Sequence, residues 1–462
     1  MEYTELSAYD VPPGEVTAWI PTAEPGTWVD DDRRLSHNHE LHLDTAEAGS
    51  WIGSIMRLSG QLDATALGLA LRAWIGRHEA LRGTVEETPG GRRRRAVAPE
   101  DVSVTTTALG RFDGGAARGR LSDFLADHID PSAWPYVVFA TVADADGFTL
   151  VFGADHGVMD AYSQLLWFEE IASLYEKALA GEPFTELASA TTGSHLDHAA
   201  EERVTGEAMS LESESVRVWR DWLTTPEGTL RFADFPVPGI TDLPTTSVEP
   251  LPQASLSQWL GGPRQARVLG ELCKSAGVSF QAGMMGAMAY VLRARHGVER
   301  MRFVAPMHTR YTAEHAAAVG WYVGLVPITL DITGAQTLPE VAARVQTALG
   351  AAKPLVPQPF ARVADLLGVD DAPHFVVTFV DTRFIPGAEH WNDWDARTLR
   401  APVRADDEVY LWLVRDRDGL NVSTRYPETV AAERVVRDLI GGMSALLEEI
   451  AQPETAGLEG TG

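Results

Sequence analysis

The sequence predicts an α/β protein made of two comparable halves, and three observations carry that prediction. The chain has 462 residues, 45% of them hydrophobic, which is ample for a sizeable core and too long for one ordinary domain. Strand-like and helix-like patterns mix within each half, as they do in layered α/β folds. Between the halves, Thr224–Pro263 carries Pro226, Pro236, Pro238, Pro244, Pro250, Pro252 and Pro263, which interrupt every helical pattern. The expected division is a first half at 1–223, a connection at 224–263, a second half at 264–451 and a disordered tail at 452–462.

In the first half, Asp63 is placed to cap a helix whose apolar residues Leu67, Ala70, Leu71, Trp74 and Ile75 share one face. Phe148–Ala154 reads as a buried strand. It enters a short polar turn, followed by a helix through Trp167, Ile171, Leu174 and Tyr175 that Gly181 closes. In the second half Ser279 opens a helix ending near Gly297. Strands are expected at Arg302–Pro306, Tyr322–Leu330, His374–Val380 and Val409–Val414. The last pairs with Leu420–Tyr426 across the turn Asp416–Gly419. A helix from about Val430 to Ile450 completes the pattern.

The 38 Lys and Arg residues stand against 65 Asp and Glu, a formal charge of −27. So negative a surface repels nucleic acid and anionic lipid, and neither is an expected partner. Cys273 is the single cysteine, which excludes an intramolecular disulfide and a thiolate metal site and fits helix packing. The opening MEYTELSAYD has neither the basic start nor the apolar core of a signal peptide. The longest apolar stretches, around Tyr136–Ala143 and Met284–Leu292, fall short of the roughly 20 residues that span a bilayer. A cytoplasmic monomer is expected.

There is no GxSxG elbow, no phosphate loop ending in Gly-Lys-Ser/Thr, no GxGxxG turn and no HExxH helix. Histidine remains. Of 13 histidines, His156 alone has an aspartate four residues later, Asp160. It lies in ADHGVMDAYS, where an apolar strand gives way to a helix, the usual place for α/β chemistry. A histidine there either offers one ring nitrogen to a cleft or is satisfied by the backbone of its loop. The cluster His37-Asn38-His39-Glu40-Leu41-His42 has residue types that bind metal, but it also fits a short extended segment with mixed faces. No metal site is expected.

The segment Asp155-His156-Gly157-Val158-Met159-Asp160-Ala161 resembles the HHxxxDG signature of the condensation-domain superfamily, which includes nonribosomal peptide condensation domains, polyketide-associated acyltransferases and the chloramphenicol acetyltransferase fold. Further matches follow in order. Arg77-His78-Glu79-Ala80-Leu81-Arg82 resembles the RHExLR segment. Phe303 to Ile328, with Pro306, Arg310, Gly320-Trp321-Tyr322-Val323 and Pro327, resembles the strand, arginine and GxFvNxxP sequence. His374–Asp381 and Leu411–Pro427 match two late strands, and Pro13–Trp19 looks like the free-standing polyketide-associated acyltransferases. Three positions depart from the pattern: Asp155 replaces the first histidine, Ala161 the motif glycine, and Gly324 the asparagine after GxFV. No segment resembles the DFGWG loop of the plant acyltransferases.

The resemblance implies two chloramphenicol acetyltransferase-like α/β sandwiches in a V-shaped pseudo-dimer, with the active site in the channel between them. It implies a stand-alone acyltransferase that moves an acyl group from a carrier-protein or coenzyme A thioester to a hydroxyl or amine. His156 would be the general base, since a neutral imidazole takes the acceptor's proton as it attacks. No cofactor is implied beyond the phosphopantetheine-linked thioester, which is substrate. Asp160 would pair with Arg310 from the other half in a bidentate ion pair that fixes the turn, and Asp155 would support it by accepting backbone hydrogen bonds. Gly157, Tyr162, Ser163, Trp321 and Tyr322 would line the channel. Arg92–Arg95, after Pro89-Gly90-Gly91, would be a solvated hairpin tip or a contact for an acidic carrier helix or coenzyme A phosphates. Two other readings stand. Asp155 to Ser163 also fits DxxxxDxxS, the signature of heterocyclisation domains, and a degenerate member would be a silent recruitment module.

Overall fold

The computed structural model describes residues 1–46, 49–240 and 249–452. The first half supplies strands β1 (Tyr3–Glu5), β2 (Gly14–Thr22), β3 (Val29–Asp31), β4 (Ile52–Ser59), β5 (Gly83–Thr88), β6 (Gly91–Ala96), β7 (Ser103–Phe112), β8 (Val137–Ala143) and β9 (Gly147–Ala154). The second supplies β10 (Gln253–Gly261), β11 (Arg300–His308), β12 (Val323–Asp331), β13 (Phe375–Asp381), β14 (Arg397–Arg400), β15 (Val409–Arg415) and β16 (Leu420–Pro427). They form a seven-stranded sheet in the order β1-β14-β4-β9-β8-β2-β7, a six-stranded sheet in the order β10-β16-β15-β13-β11-β12, and the small sheet β3-β6-β5.

Both large sheets are covered on two faces, which explains the continuous apolar runs of their central strands. In β8, Val137 and Phe139 point into one core, with Trp74 of helix α2 (Ala64–Arg77) and Trp167 of the helix Ala161–Leu179. Val138, Ala140 and Val142 point into the other, against Leu121 and Phe124 of the helix Gly114–His128. Asp63 caps α2 by accepting from the Ala66 N–H. The second sheet repeats the plan. Helices Phe280–His296, Leu338–Ala352 and Val430–Ala451 pack on one face, and Trp219, Trp222 and Phe360 on the other. Gly297 closes the first of these helices at φ +68°, a conformation that favours glycine.

Four expectations need correction. The expected connection at 224–263 runs too far, because Gln253–Gly261 within it is β10, a strand of the six-stranded sheet paired antiparallel along β16. Pro250 and Pro252 precede that strand and Pro263 opens the next helix, all positions proline tolerates; Pro244 lies outside the described residues, as does 453–462 of the expected tail. The halves are not separate in sequence either. β14 leaves the second half to insert between β1 and β4, parallel to one and antiparallel to the other. His37–Thr45 is a helix, not an extended segment, capped by Ser36. Finally, Arg92–Arg95 lies along β6 rather than at a free tip. Arg94 is buried, and its neighbours pair with Asp44, Glu87, Asp30 and Glu86. No helix among the described residues is long and apolar enough to cross a membrane.

Candidate active site

β9 ends at Ala154, and the chain makes a single tight turn, His156–Val158, before the helix that begins at Ala161. Two aspartates fix that turn. Asp155 accepts from the Gly157 N–H at 2.8 Å, and Asp160 caps the helix by accepting from the Ser163 N–H at 2.7 Å. His156 stands between them, half-buried, its ring 4.9 Å from that of Trp321. Its side chain makes no hydrogen bond to any other described residue, and its Nδ1 is the buried nitrogen. Burial pushes the imidazole below the ordinary histidine pKa and the charge of His42 adds to this. Its own carbonyl and the carboxylates of Asp155 and Asp160 offset part of the shift.

Asp160 turns to the other half. Its carboxylate accepts from Arg310 Nη2 at 2.9 and 3.0 Å, from the Ser163 hydroxyl at 2.7 Å and from the Tyr322 N–H at 3.0 Å. The pairing differs from the expected two-nitrogen fork. One guanidinium nitrogen serves both carboxylate oxygens, while Nη1 donates to the carbonyls of His315 and Ala318 at 2.7 and 2.5 Å. The other nitrogen thereby ties down the loop on which Arg310 sits. The guanidinium also lies over the rings of Tyr322 and Tyr162, at 4.2 and 4.9 Å. Burial alone would raise the Asp160 carboxyl; the charge of Arg310 and the hydrogen bonds from Ser163 and Tyr322 outweigh it, and the pKa falls.

The segment 309–322, between β11 and β12, carries these contacts across the junction. Gly320 exchanges hydrogen bonds with the Ser163 hydroxyl, and the Val319 N–H donates to His78, whose other nitrogen holds Glu170 at 2.8 Å. The Arg77-His78-Glu79 segment is therefore scaffold for the junction. Gly324, where the resemblance expects asparagine, is tight against the main chain: a Cβ there would come within 2.0 Å of the Val356 carbonyl oxygen.

Not all of the expected channel residues line one space. Trp321 lies against His156, and Tyr162 is half-buried beside Arg310. Ser163 is fully buried in the Asp160 network. Tyr322 is buried too, its ring packed among His195, His198 and His315 at 4.7–5.1 Å. Gly157 faces inward: a Cβ would meet Asp155 Oδ1 at 2.7 Å, His42 Cδ2 at 3.0 Å and His39 Nε2 at 3.1 Å. Its lack of a side chain makes room for this cluster. Sequence reasoning missed His42 as a site residue. From helix α1 (His37–Thr45), its Nε2 reaches both oxygens of Asp155 at 2.9 Å, and its ring meets the edge of Trp321.

The comparisons agree with this architecture. The condensation-domain family matches residues 41–383. Trehalose-2-sulfate acyltransferase PapA2 of Mycobacterium tuberculosis is 26% identical over 337 residues, covering 71% of this chain and 69% of the relative. Acyltransferase PapA3 of the same species is 23% identical over 366 residues, covering 78% and 75%. Among solved structures, a PapA2 acyl transferase superposes with a TM-score of 0.84 at 23% identity, covering 98% of this chain and all of that one. The epimerization domain of tyrocidine synthetase B gives 0.69 at 16% identity, covering 92% and 97%. The two-sandwich fold, the crossing segments and the family match converge: this chain is an acyltransferase belonging to the condensation-domain family.

Proposed function

We propose that this enzyme transfers an acyl group from a phosphopantetheine-linked thioester to a hydroxyl, forming an ester, with His156 as general base. One observation carries the reading. The His156 imidazole, on a turn pinned by two aspartates at the junction of the halves, makes no hydrogen bond to any other described residue. Nδ1 is the buried nitrogen, so Nε2 is the one that meets substrate. As the acceptor oxygen attacks the thioester carbonyl, Nε2 takes its proton; as the C–S bond breaks, the proton passes to the departing thiolate. Burial keeps the imidazole neutral and ready at neutral pH. No covalent enzyme intermediate is needed, because both substrates meet at one base.

A hydroxyl acceptor is favoured over an amine by the relatives, whose names include a trehalose-2-sulfate acyltransferase. A sugar or related polyol is the acceptor class to test first. Asp160 and Arg310 hold the turn, and Asp155 fixes it through Gly157 and His42. Heterocyclisation would need Asp155 available, whereas both of its oxygens are engaged by His42. The test is intact-mass analysis of acyl-carrier and coenzyme A thioesters incubated with enzyme and a panel of polyols, alcohols and amines. An ester of donor and polyol mass less the thiol is expected. A product lighter by a further water, or acyl transfer to amines alone, overturns the reading.

A further inference from the structure

A second concavity, of about 650 Å³, shares no residue with the surroundings of His156 described above. It lies against the helix Pro263–Ser275, the start of the helix Phe280–His296, and the ends of β13 and β15. Its walls reverse the sign of the molecule. Arg267, Lys274, Arg383, Arg415 and Arg417 line it with two carboxylates, Glu271 and Asp416, on a chain of formal charge −27, and Glu271 pairs with Arg267 at 2.8 Å. Asp416 is already neutralised by the Met1 ammonium. Asp381, just behind, holds Arg383 at 2.8 Å and lies 3.8 Å from Arg415. At the rim, Arg417 reaches Glu389 at 3.2 Å with half its side chain exposed, and exposed Lys274 makes no ion pair with any described residue. The floor is partly apolar, and the Arg415 guanidinium stacks 3.6 Å above the Phe280 ring.

Topology puts this cavity on the edge of the sheet that meets the first half. β11, β13 and β15 run parallel, so their C-terminal ends share an edge. Arg310 lies two residues beyond β11, Arg383 two beyond β13, and Arg415 ends β15. Arg310 holds Asp160, four residues from the base. β15 is two strand spacings from β11, about 10 Å along the edge.

We propose that this cavity binds the nucleotide end of a coenzyme A thioester, and that the donor is therefore coenzyme A-bound rather than carrier-bound. Coenzyme A ends in a flat base with a 3′-phosphate and a diphosphate, a compact polyanion that suits a concave site with basic walls and a guanidinium–aromatic floor. A carrier protein offers a convex helix and one phosphate, which leaves the concavity unfilled. The cations raise the local concentration of an anionic donor that the rest of the surface repels. The inference rests on the acyl-transfer reading for the fate of the thioester, but nucleotide binding stands apart from it.

The experiment uses the full chain and the variant Lys274→Glu/Arg417→Glu, which changes two rim residues. Adenosine 3′,5′-bisphosphate is titrated calorimetrically, and KM and kcat are measured with acyl-coenzyme A and with the matching acyl-pantetheine, which lacks the nucleotide. The variant is expected to bind the bisphosphate about tenfold more weakly and to raise KM for acyl-coenzyme A by a similar factor, with kcat and the acyl-pantetheine parameters unchanged. Absence of bisphosphate binding by the wild type, equal affinity in the variant, an equal loss with both donors, or turnover of carrier-bound donors alone overturns the proposal. If no thioester is turned over but the bisphosphate binds in a way that depends on the rim, the nucleotide site stands and the acyl-transfer reading fails.

Discussion

His42 Nε2 lies 2.9 Å from both carboxylate oxygens of Asp155, across 113 residues of sequence. Asp155 occupies the position where the family signature has its first histidine, so the imidazole missing from the motif has a counterpart delivered from a different helix. The pair sits beneath the turn that holds His156, and the His42 ring shares Trp321 with it.

His42→Gln should therefore move the acid limb of the kcat/KM profile to higher pH. The charge of His42 lowers the His156 pKa, so its removal makes protonation of the base easier and that pKa rises. In the wild type the limb should lie below the ordinary histidine value of about 6.5. An unshifted limb in the variant would mean that His42 has no electrostatic hold on the base.

His156→Ala should lower the chemical rate by roughly 10²–10⁴ with the fold intact. Single-turnover kinetics at saturating donor, with circular dichroism as the control, check this. Near-normal turnover would place the base elsewhere.

Asp160→Ala and Arg310→Ala should each cost about 3–5 kcal/mol, because either change strands a buried charge. The double variant should cost far less than the sum. Denaturant melts of all four proteins at one pH close the cycle, and additive losses would show that the two residues do not act as a unit.

Stability should fall on mild acidification. Burial, with repulsion from neighbouring histidines, pushes His195 down to about 3 and His198 down to about 4. Unfolded histidine titrates near 6.5, so between these values the unfolded chain binds protons that the folded one does not. Stability is thus lost as pH falls through 6.5, and the loss levels off near the folded values. Urea midpoints of the wild type and His198→Asn at pH 7.5 and 5 test this, and the variant should show the shallower dependence.

Local pattern carried much of this into view from sequence. β9, the turn and the helix after it are legible because a continuous apolar run, a polar break and helical periodicity follow one another within 33 residues, Gly147 to Leu179. Arg310 is legible through the motif order, and its partner Asp160 with it. What stayed hidden depends on pairing between distant segments. Nothing in HNHELH says that one imidazole reaches Asp155, and nothing in RTLR says that four residues enter the other half's sheet. Motif position makes Gly157 a channel wall, because it does not reveal which way a glycine faces. β10 stays hidden in the sequence because prolines that flank a strand look, in composition, like the prolines of a connection.

The insertion of β14 has a consequence for biogenesis. A ribosome finishing residue 223 has made all the helices of the first sandwich but not the strand that separates β1 from β4. Until Arg397–Arg400 emerges, β4 keeps an open edge, β1 has no sheet partner, and Gln164 lacks the Leu399 carbonyl to which it donates at 3.0 Å. The nascent first half must wait, partly unzipped and prone to edge-to-edge association, for nearly the whole chain. Neither half is a sound fragment to express alone, and the two should unfold as one cooperative unit.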